Sequence, residues 1–453
     1  MKTSFRALLS LWLIAWVTSG AAAWQAVSTE HLVILLPAGF PQTAAVALQA
    51  EETLQQVWEL WLPRGVDTPL PRPSPAWNLS PAVIARAWER AGIPPEPAGP
   101  SFGLILYQDP EQLWQDADKY GVKGLYLGVS WAPRSLVREL RRRFHQAGIA
   151  QDWVAQGLVL AYCPQGECPG LLAHELTHAL QDYTLVSIPT EFCPQELDRE
   201  PRLIIEGMAT WTEFALDPED DFQLLVQGPV AIWLWLGGSP SEVPLFLLYQ
   251  IGASLFQFLS FRLSPPEMLA LFSHPVRGML GLPEEPFPEL FRSLYGESWE
   301  AFLRGWEKWL LGTSPPPGAE LVYEERRLWL GGRASFLWPL LSEEEREEIW
   351  EIRQAIWRGE GSLSALQWAD ALLRGVWAEP APALLSALYE RLPSLKGWAR
   401  AISGPEAAAR ITAISLLKYT DPEHPERFLR EYIAAVNAYL VSPAPSPIGV
   451  AVP

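Results

Sequence analysis

Leu171-Leu172-Ala173-His174-Glu175-Leu176-Thr177-His178-Ala179-Leu180 holds H-E-x-x-H in a stretch with no Pro or Gly inside it, directly after Gly170. On a helix, residues i and i+4 lie on one face about one turn apart, so the imidazoles of His174 and His178 can converge on one cation. Zinc suits such a pair, being content with imidazole and carboxylate in a tetrahedral site that leaves one position open. Glu175 follows the first imidazole by one residue, which sets its carboxylate beside a metal-bound water whose proton it can take. With 6 His in the chain, the pattern arises by chance in roughly 1% or fewer of such chains. Two histidines without a metal form the competing reading, and a third ligand decides between them.

That ligand is not a histidine of the extended form H-E-x-x-H-x-x-G-x-x-H. Gln181 stands where that form has Gly, Thr184 where it has His, and the next His is His274. The other common choice is a carboxylate on a later helix, and Glu206 in Pro201-Arg202-Leu203-Ile204-Ile205-Glu206-Gly207-Met208-Ala209 fits it. Asp198 and Pro201 make a helix start, as N-cap and early-turn proline. Gly207 inside that helix costs about 1 kcal/mol relative to Ala. Close approach to the histidine-bearing helix would explain it. Glu213, two turns past Glu206, either orients a ligand imidazole or is a solvated helix charge.

His174–His178 with Glu206-Gly207-x-Ala209 resembles the gluzincins, the thermolysin-like superfamily whose third zinc ligand is Glu. Tyr249-Gln250-Ile251-Gly252-Ala253-Ser254 is similar to the Y-x-x-G-A-S helix of the zinc aminopeptidases, where the Tyr hydroxyl stabilises the tetrahedral intermediate. The segment from Tyr295-Gly296-Glu297 to Trp309-Leu310 resembles the closing helices of such domains. The match is strong over 170–214, moderate over 243–311, weak over 24–169 and absent after 316. It implies an α+β catalytic domain, a small mixed sheet packed on the H-E-x-x-H helix and then a mainly helical lobe. It also implies zinc on His174, His178 and Glu206, Glu175 as base, Tyr249 as oxyanion donor, and a protein or peptide substrate. One departure bears on substrate mode. The aminopeptidases carry G-x-M-E-N upstream to hold a substrate N-terminus, and Gly157-Leu158-Val159-Leu160-Ala161-Tyr162-Cys163 has no carboxylate there. Internal cleavage is therefore expected, with Leu158–Tyr162 as the substrate-facing edge strand.

Lys2 and Arg6, an apolar run from Ala7 to Val17, and Ser19-Gly20-Ala21-Ala22-Ala23 read as a secretory signal peptide cut after Ala23. A secreted, extracytoplasmic protein follows, with disulfides permitted. Cys163, Cys168 and Cys193 allow three pairings. Loop-closure entropy favours a bridge to Cys193, worth roughly 3–4 kcal/mol across a loop of about 25–31 residues.

The runs Thr29–Pro37, closed by its Pro, Phe102–Tyr107 and Leu158–Tyr162 read as strands, and residues 42–62 carry helical spacing. Pro crowds residues 63–100 around a short helical pattern at 82–91, and helical patterns dominate from about 170 onward. Residues 243–261 are apolar, but Pro244, Gln250 and Gln257 argue for a buried core helix over a membrane span. Gly312-Thr313-Ser314-Pro315-Pro316-Pro317-Gly318 reads as a linker, dividing a catalytic domain at 24–312 from an all-α domain at 319–453. Ser342 and Glu345 form a capping box in the latter.

The 453 residues are 49% apolar and 19% charged with a net charge of −18. That composition excludes a disordered chain, and its sign argues against a nucleic-acid partner. Two further readings compete with a peptidase. One is a non-catalytic extracytoplasmic helical interaction protein with a structural or vestigial zinc site, although such a site needs no base at Glu175. The other is a non-peptidase zinc hydrolase. Oligomeric state is not legible.

Overall fold

The computed structural model of the chain describes residues 24–40, 42–62, 102–117, 123–128, 134–149, 157–164, 168–184, 186, 202–217, 221–238, 243–329 and 341–378. The signal segment, the pattern at 82–91, the helix start at Asp198 and Pro201, Cys193 and the chain after 378 lie outside them.

Two compact units are formed. Unit 1 takes in Met1–Ala117, Val122–Asp221 and Tyr249–Lys308, and unit 2 takes in Asp118–Gly121, Phe222–Leu248 and Trp309–Pro453.

Unit 1 is α+β. Its sheet has five strands: β1 (Trp24–Ser28), β2 (Leu32–Pro37), β3 (Phe102–Tyr107), β4 (Gly124–Gly128) and β5 (Gly157–Tyr162), in the order β1-β2-β3-β5-β4. β2, β3 and β5 run parallel, while β1 and β4 are antiparallel to their neighbours. The three parallel strands are nearly continuous buried apolar runs, the pattern of strands covered on both faces. Helix α1 (Thr43–Trp61) crosses over between β2 and β3, followed by α2 (Pro110–Ala117) and α3 (Arg134–Gln146).

The expected edge strand is displaced by one position. Leu158–Tyr162 lies inside the sheet, between β3 and β4, and the edge is β4. Apolarity marks a strand but not its neighbour, and Gly124-Leu125-Tyr126-Leu127-Gly128 is too short and too glycine-bounded to stand out by pattern. Its place is built by side chains. The Tyr126 ring lies over Gly157, where an added Cβ would come within 2.3 Å of the hydroxyl. That hydroxyl donates to Asp182 Oδ2 at 2.7 Å, on α4 (Pro169–Tyr183).

A disulfide closes the short link from β5 to α4. The bridge joins Cys163 to Cys168, with Cα atoms 5.6 Å apart, rather than either one to Cys193. The entropic preference for the longer loop yields to local geometry. Cys163 is held by its N–H on the Tyr107 carbonyl at 2.8 Å, Cys168 is the N-cap of α4, and these two placements leave the cysteines within bridging distance. Pro169 then opens the helix, where its missing N–H costs nothing.

Helix α5 (Arg202–Leu216) packs on α4, and α1 locks onto α5 where the buried Trp61 donates its indole N–H to Thr212 Oγ1 at 2.9 Å. In unit 2, α6 (Gly228–Trp235) follows a π-turn at Gln223–Gln227. Helix α7 (Leu248–Leu259) lies in unit 1 from Tyr249 on and continues to α8 (Pro265–Ala270), α9 (His274–Met279), α10 (Phe287–Tyr295) and α11 (Trp299–Leu311). Phe287, Phe291, Trp299 and Phe302 stack edge and face into one aromatic core there. Ser273 caps α9 and donates its hydroxyl to the Thr184 carbonyl at 2.6 Å, anchoring the end of α4.

The described residues of unit 2 are helical, with α12 (Ala319–Trp329) packed on α6 and with α13 (Glu343–Trp357) and α14 (Leu363–Ala378) packed on α12. Ser342 and Glu345 cap α13 as a capping box. The fully buried Glu325 of α12 accepts from Arg353 at 2.7 Å. No helix among the described residues is long and apolar enough to cross a membrane.

Candidate metal centre

α4 carries two imidazoles on one face, as its i, i+4 spacing dictates, with ring centroids 5.0 Å apart. α5 brings Glu206 between them: its Oε2 lies 3.5 Å from His174 Nε2 and 3.3 Å from His178 Nε2. Among the described residues, His174, His178 and Glu206 form a group that could hold a metal ion, with all three ligand atoms within 4.8 Å of one another.

The hydrogen bonds behind the imidazoles settle which nitrogen faces Glu206 with a lone pair. His174 Nδ1 lies 3.3 Å from Glu213 Oε2, and a carboxylate only accepts, so Nδ1 carries the hydrogen. Glu213 is thus the residue that orients the first imidazole, rather than a solvated charge. His178 Nδ1 lies 2.9 Å from Gln181 Oε1, while Gln181 Nε2 donates to the Ile205 carbonyl at 2.8 Å. In the neutral imidazoles Nε2 is then the atom with the lone pair, and on both rings it faces a carboxylate oxygen. Three converging acceptors repel unless positive charge sits among them, and the donor set of two imidazoles and one carboxylate fits a divalent metal.

A proton on Nε2 meets the same demand for positive charge. Burial disfavours charge on His174, but hydrogen bonds to Glu206 and Glu213 outweigh it and lift its pKa well above the imidazole range. Burial would likewise raise Glu206, yet the two imidazoles hold its carboxyl far below the carboxylate range. The centre is an anionic pocket that stabilises a cation.

Glu175 is buried beside the cluster, under the backbone of β4. An added Cβ at Gly124 would lie 2.4 Å from Glu175 Oε1 and 2.7 Å from its Cγ, so the edge strand passes over the carboxylate only because residue 124 has no side chain. Tyr249, at the start of α7, stacks on His174 at 6.1 Å with an 18° interplanar angle. Burial, then Glu206 and Glu175, raise its hydroxyl well above the phenol range, and it hydrogen-bonds to Glu206.

Gly207 has a different partner from the one expected. An added Cβ there would fall 2.5 Å from the backbone of Gly252, so the close approach is to α7, not to the histidine helix. Backbone on backbone, Gly207 and Gly252 bring Tyr249 to the centre. The histidine helix meets α5 instead at Gly170, against Glu213 and Asp217.

All five expected site residues, Glu175, Tyr249, His174, His178 and Glu206, therefore lie in one place. Sequence reading passed over two others. In the sequence Gln181 stands out only as a mismatch to the extended motif, although its i+3 spacing from His178 puts both on one helix face. Gly124 gave no signal beyond bounding a short apolar run. Comparison with protein-family models finds no match for this chain, and comparison with curated proteins finds none either.

Proposed function

We propose that this chain is a secreted zinc-dependent peptidase of gluzincin type that cleaves extended protein or peptide chains internally. The observation that carries the reading is the convergence of His174, His178 and Glu206 with the Glu175 carboxylate held beside them under an open strand edge. A pocket with a metal-ligand set alone would serve a structural ion. A buried carboxylate outside the three-residue ligand group and next to it has the position of a general base.

Zinc, held by His174, His178 and Glu206, supplies a Lewis acid that polarises a carbonyl and makes water acidic near neutral pH. Glu175 takes the proton of the attacking water and returns it to the leaving amine. Tyr249, kept protonated by burial and two neighbouring carboxylates, donates its hydroxyl to the oxyanion. β4 offers its outer edge to an extended peptide, whose backbone then runs past Glu175. Neither β4 nor β5 carries a carboxylate to hold a substrate amine, which favours internal bonds. The signal-like segment 1–23 supports export.

The test is incubation of purified mature protein with an unfolded protein, followed by mapping of the new termini. Internal cleavage that stops on chelation and resumes with zinc is expected. No cleavage by zinc-loaded protein, or release of single N-terminal residues alone, would overturn the reading.

A further inference from the structure

Gln181 belongs to no part of the H-E-x-x-H pattern, yet its carboxamide is buried and bonded at both ends inside the ligand cluster. We propose that Gln181 is a positioning residue that fixes His178 as a ligand through Nε2 and couples it to the backbone presenting Glu206. The proposal rests on reading the centre as a metal site.

The argument runs from the acceptor that cannot change. The Ile205 carbonyl only accepts, so the group 2.8 Å from it must be the amide nitrogen of Gln181. The oxygen end is then committed to His178 Nδ1 at 2.9 Å, which must carry a hydrogen. For the neutral imidazole that a metal requires, one tautomer remains, with the Nε2 lone pair aimed at the Glu206 side, 3.3 Å from its Oε2. Ile205 directly precedes Glu206, so a single amide joins the second imidazole of α4 to the peptide unit that carries the α5 ligand. Glu213 does the corresponding service for His174, also from α5. Both imidazoles are thus aligned by the helix that supplies the third ligand, one through a side chain and one through the backbone. Such outer partners raise imidazole basicity and hold ring orientation before the metal arrives.

A buried amide at a helix–helix contact could instead serve packing alone, and two substitutions separate the roles. Gln181→Met keeps length and loses both hydrogen bonds. Gln181→Glu keeps an acceptor for His178 Nδ1 and loses the donor to Ile205. Zinc affinity is read by competition with a chromophoric chelator, and ligand geometry by the visible bands of the cobalt-loaded protein. Gln181→Met is expected to bind zinc about 10–100-fold more weakly, with shifted cobalt bands. Gln181→Glu is expected to recover part of the affinity and the wild-type band positions. A Gln181→Met protein with wild-type zinc affinity and wild-type cobalt bands, changed only in thermal stability, would overturn the positioning role and leave the metal site standing. Wild-type protein that takes up no zinc would overturn both. Should Gln181→Met fail to fold, nitrogen NMR of zinc-loaded wild type with labelled histidine decides. His178 protonated at Nδ1 and bound through Nε2 supports the proposal, and the reverse assignment refutes it.

Discussion

Glu175 is buried and Glu206 half-buried beside the same imidazoles, yet their surroundings assign them different work. Glu206 faces Nε2 of both imidazoles, whose hydrogen bonds and charge hold its carboxyl far below the carboxylate range. Glu175 lies to the side, against the backbone at Gly124. The two roles predict opposite variants. Glu175→Gln, similar in shape but unable to accept a proton, should keep about one zinc per chain and lose about 10²–10⁴-fold in turnover. Glu206→Ala should lose the metal itself. Elemental analysis alongside a cleavage assay checks the pair, and a Glu175→Gln protein with full activity would refute the mechanism. At this scale the sequence was informative where chemistry is local: His174, Glu175 and His178 follow from spacing along one helix. Gln181 was not legible because its meaning depends on a carbonyl at Ile205, on another helix.

Among elements, what the sequence conveyed was the presence of strands and helices, and what it withheld was their neighbours. β2, β3 and β5 announce themselves as apolar runs, but their order in the sheet depends on which faces the helices cover. Gly207 was legible as a close approach and not as an approach to Gly252, since a missing side chain does not name the surface it meets. The edge strand yields a prediction. Gly124→Ala drives a methyl into the Glu175 carboxylate, and a base displaced by even part of that overlap should lose most turnover while zinc stays bound. Overpacking at such a site costs about 1–3 kcal/mol, so thermal stability should fall modestly. Unchanged turnover in folded, zinc-loaded Gly124→Ala would show that β4 does not press on the base. A second prediction concerns the first β-hairpin. Glu51 of α1 accepts from Thr29 Oγ1 at 2.6 Å and pairs with His31 Nδ1 at 2.5 Å. Burial would raise its pKa, but these bonds outweigh burial and hold it below the ordinary 4.5. A depressed folded pKa means stability that is present above 4.5 and lost as pH falls through the folded value. Glu51→Gln should therefore be less stable than wild type by about 1.5–3 kcal/mol near neutral pH. The gap should close in acid, as read by denaturant titration at pH 7 and pH 3; a gap that widens in acid would contradict the assignment.

At the scale of the whole molecule, the covalent link shows how local geometry overrides a global preference. Chain entropy alone favours the longest loop, which is why a bridge to Cys193 follows from the sequence. The fold decides otherwise: β5 ends at Tyr162 and α4 begins at Pro169, which sets Cys163 and Cys168 within bridging distance just before the ligand helix. The Tyr107 carbonyl bond pins Cys163 to β3. The bridge thus fastens the start of α4 to the centre of the sheet, rather than α4 to α5. Closing so short a loop is worth about 2 kcal/mol by chain entropy, against roughly 3–4 kcal/mol for the longer one. Mild reduction should therefore lower unfolding free energy by no more than about 2 kcal/mol while zinc content holds, because His174, His178 and Glu206 are positioned by packing and by Gln181 and Glu213 instead. Non-reducing peptide mapping should recover residues 163 and 168 in one linked species, with Cys193 outside the bridge. A map that joins Cys193 to either partner, or a loss of zinc on reduction alone, would mean that the ligand helices are held together covalently after all.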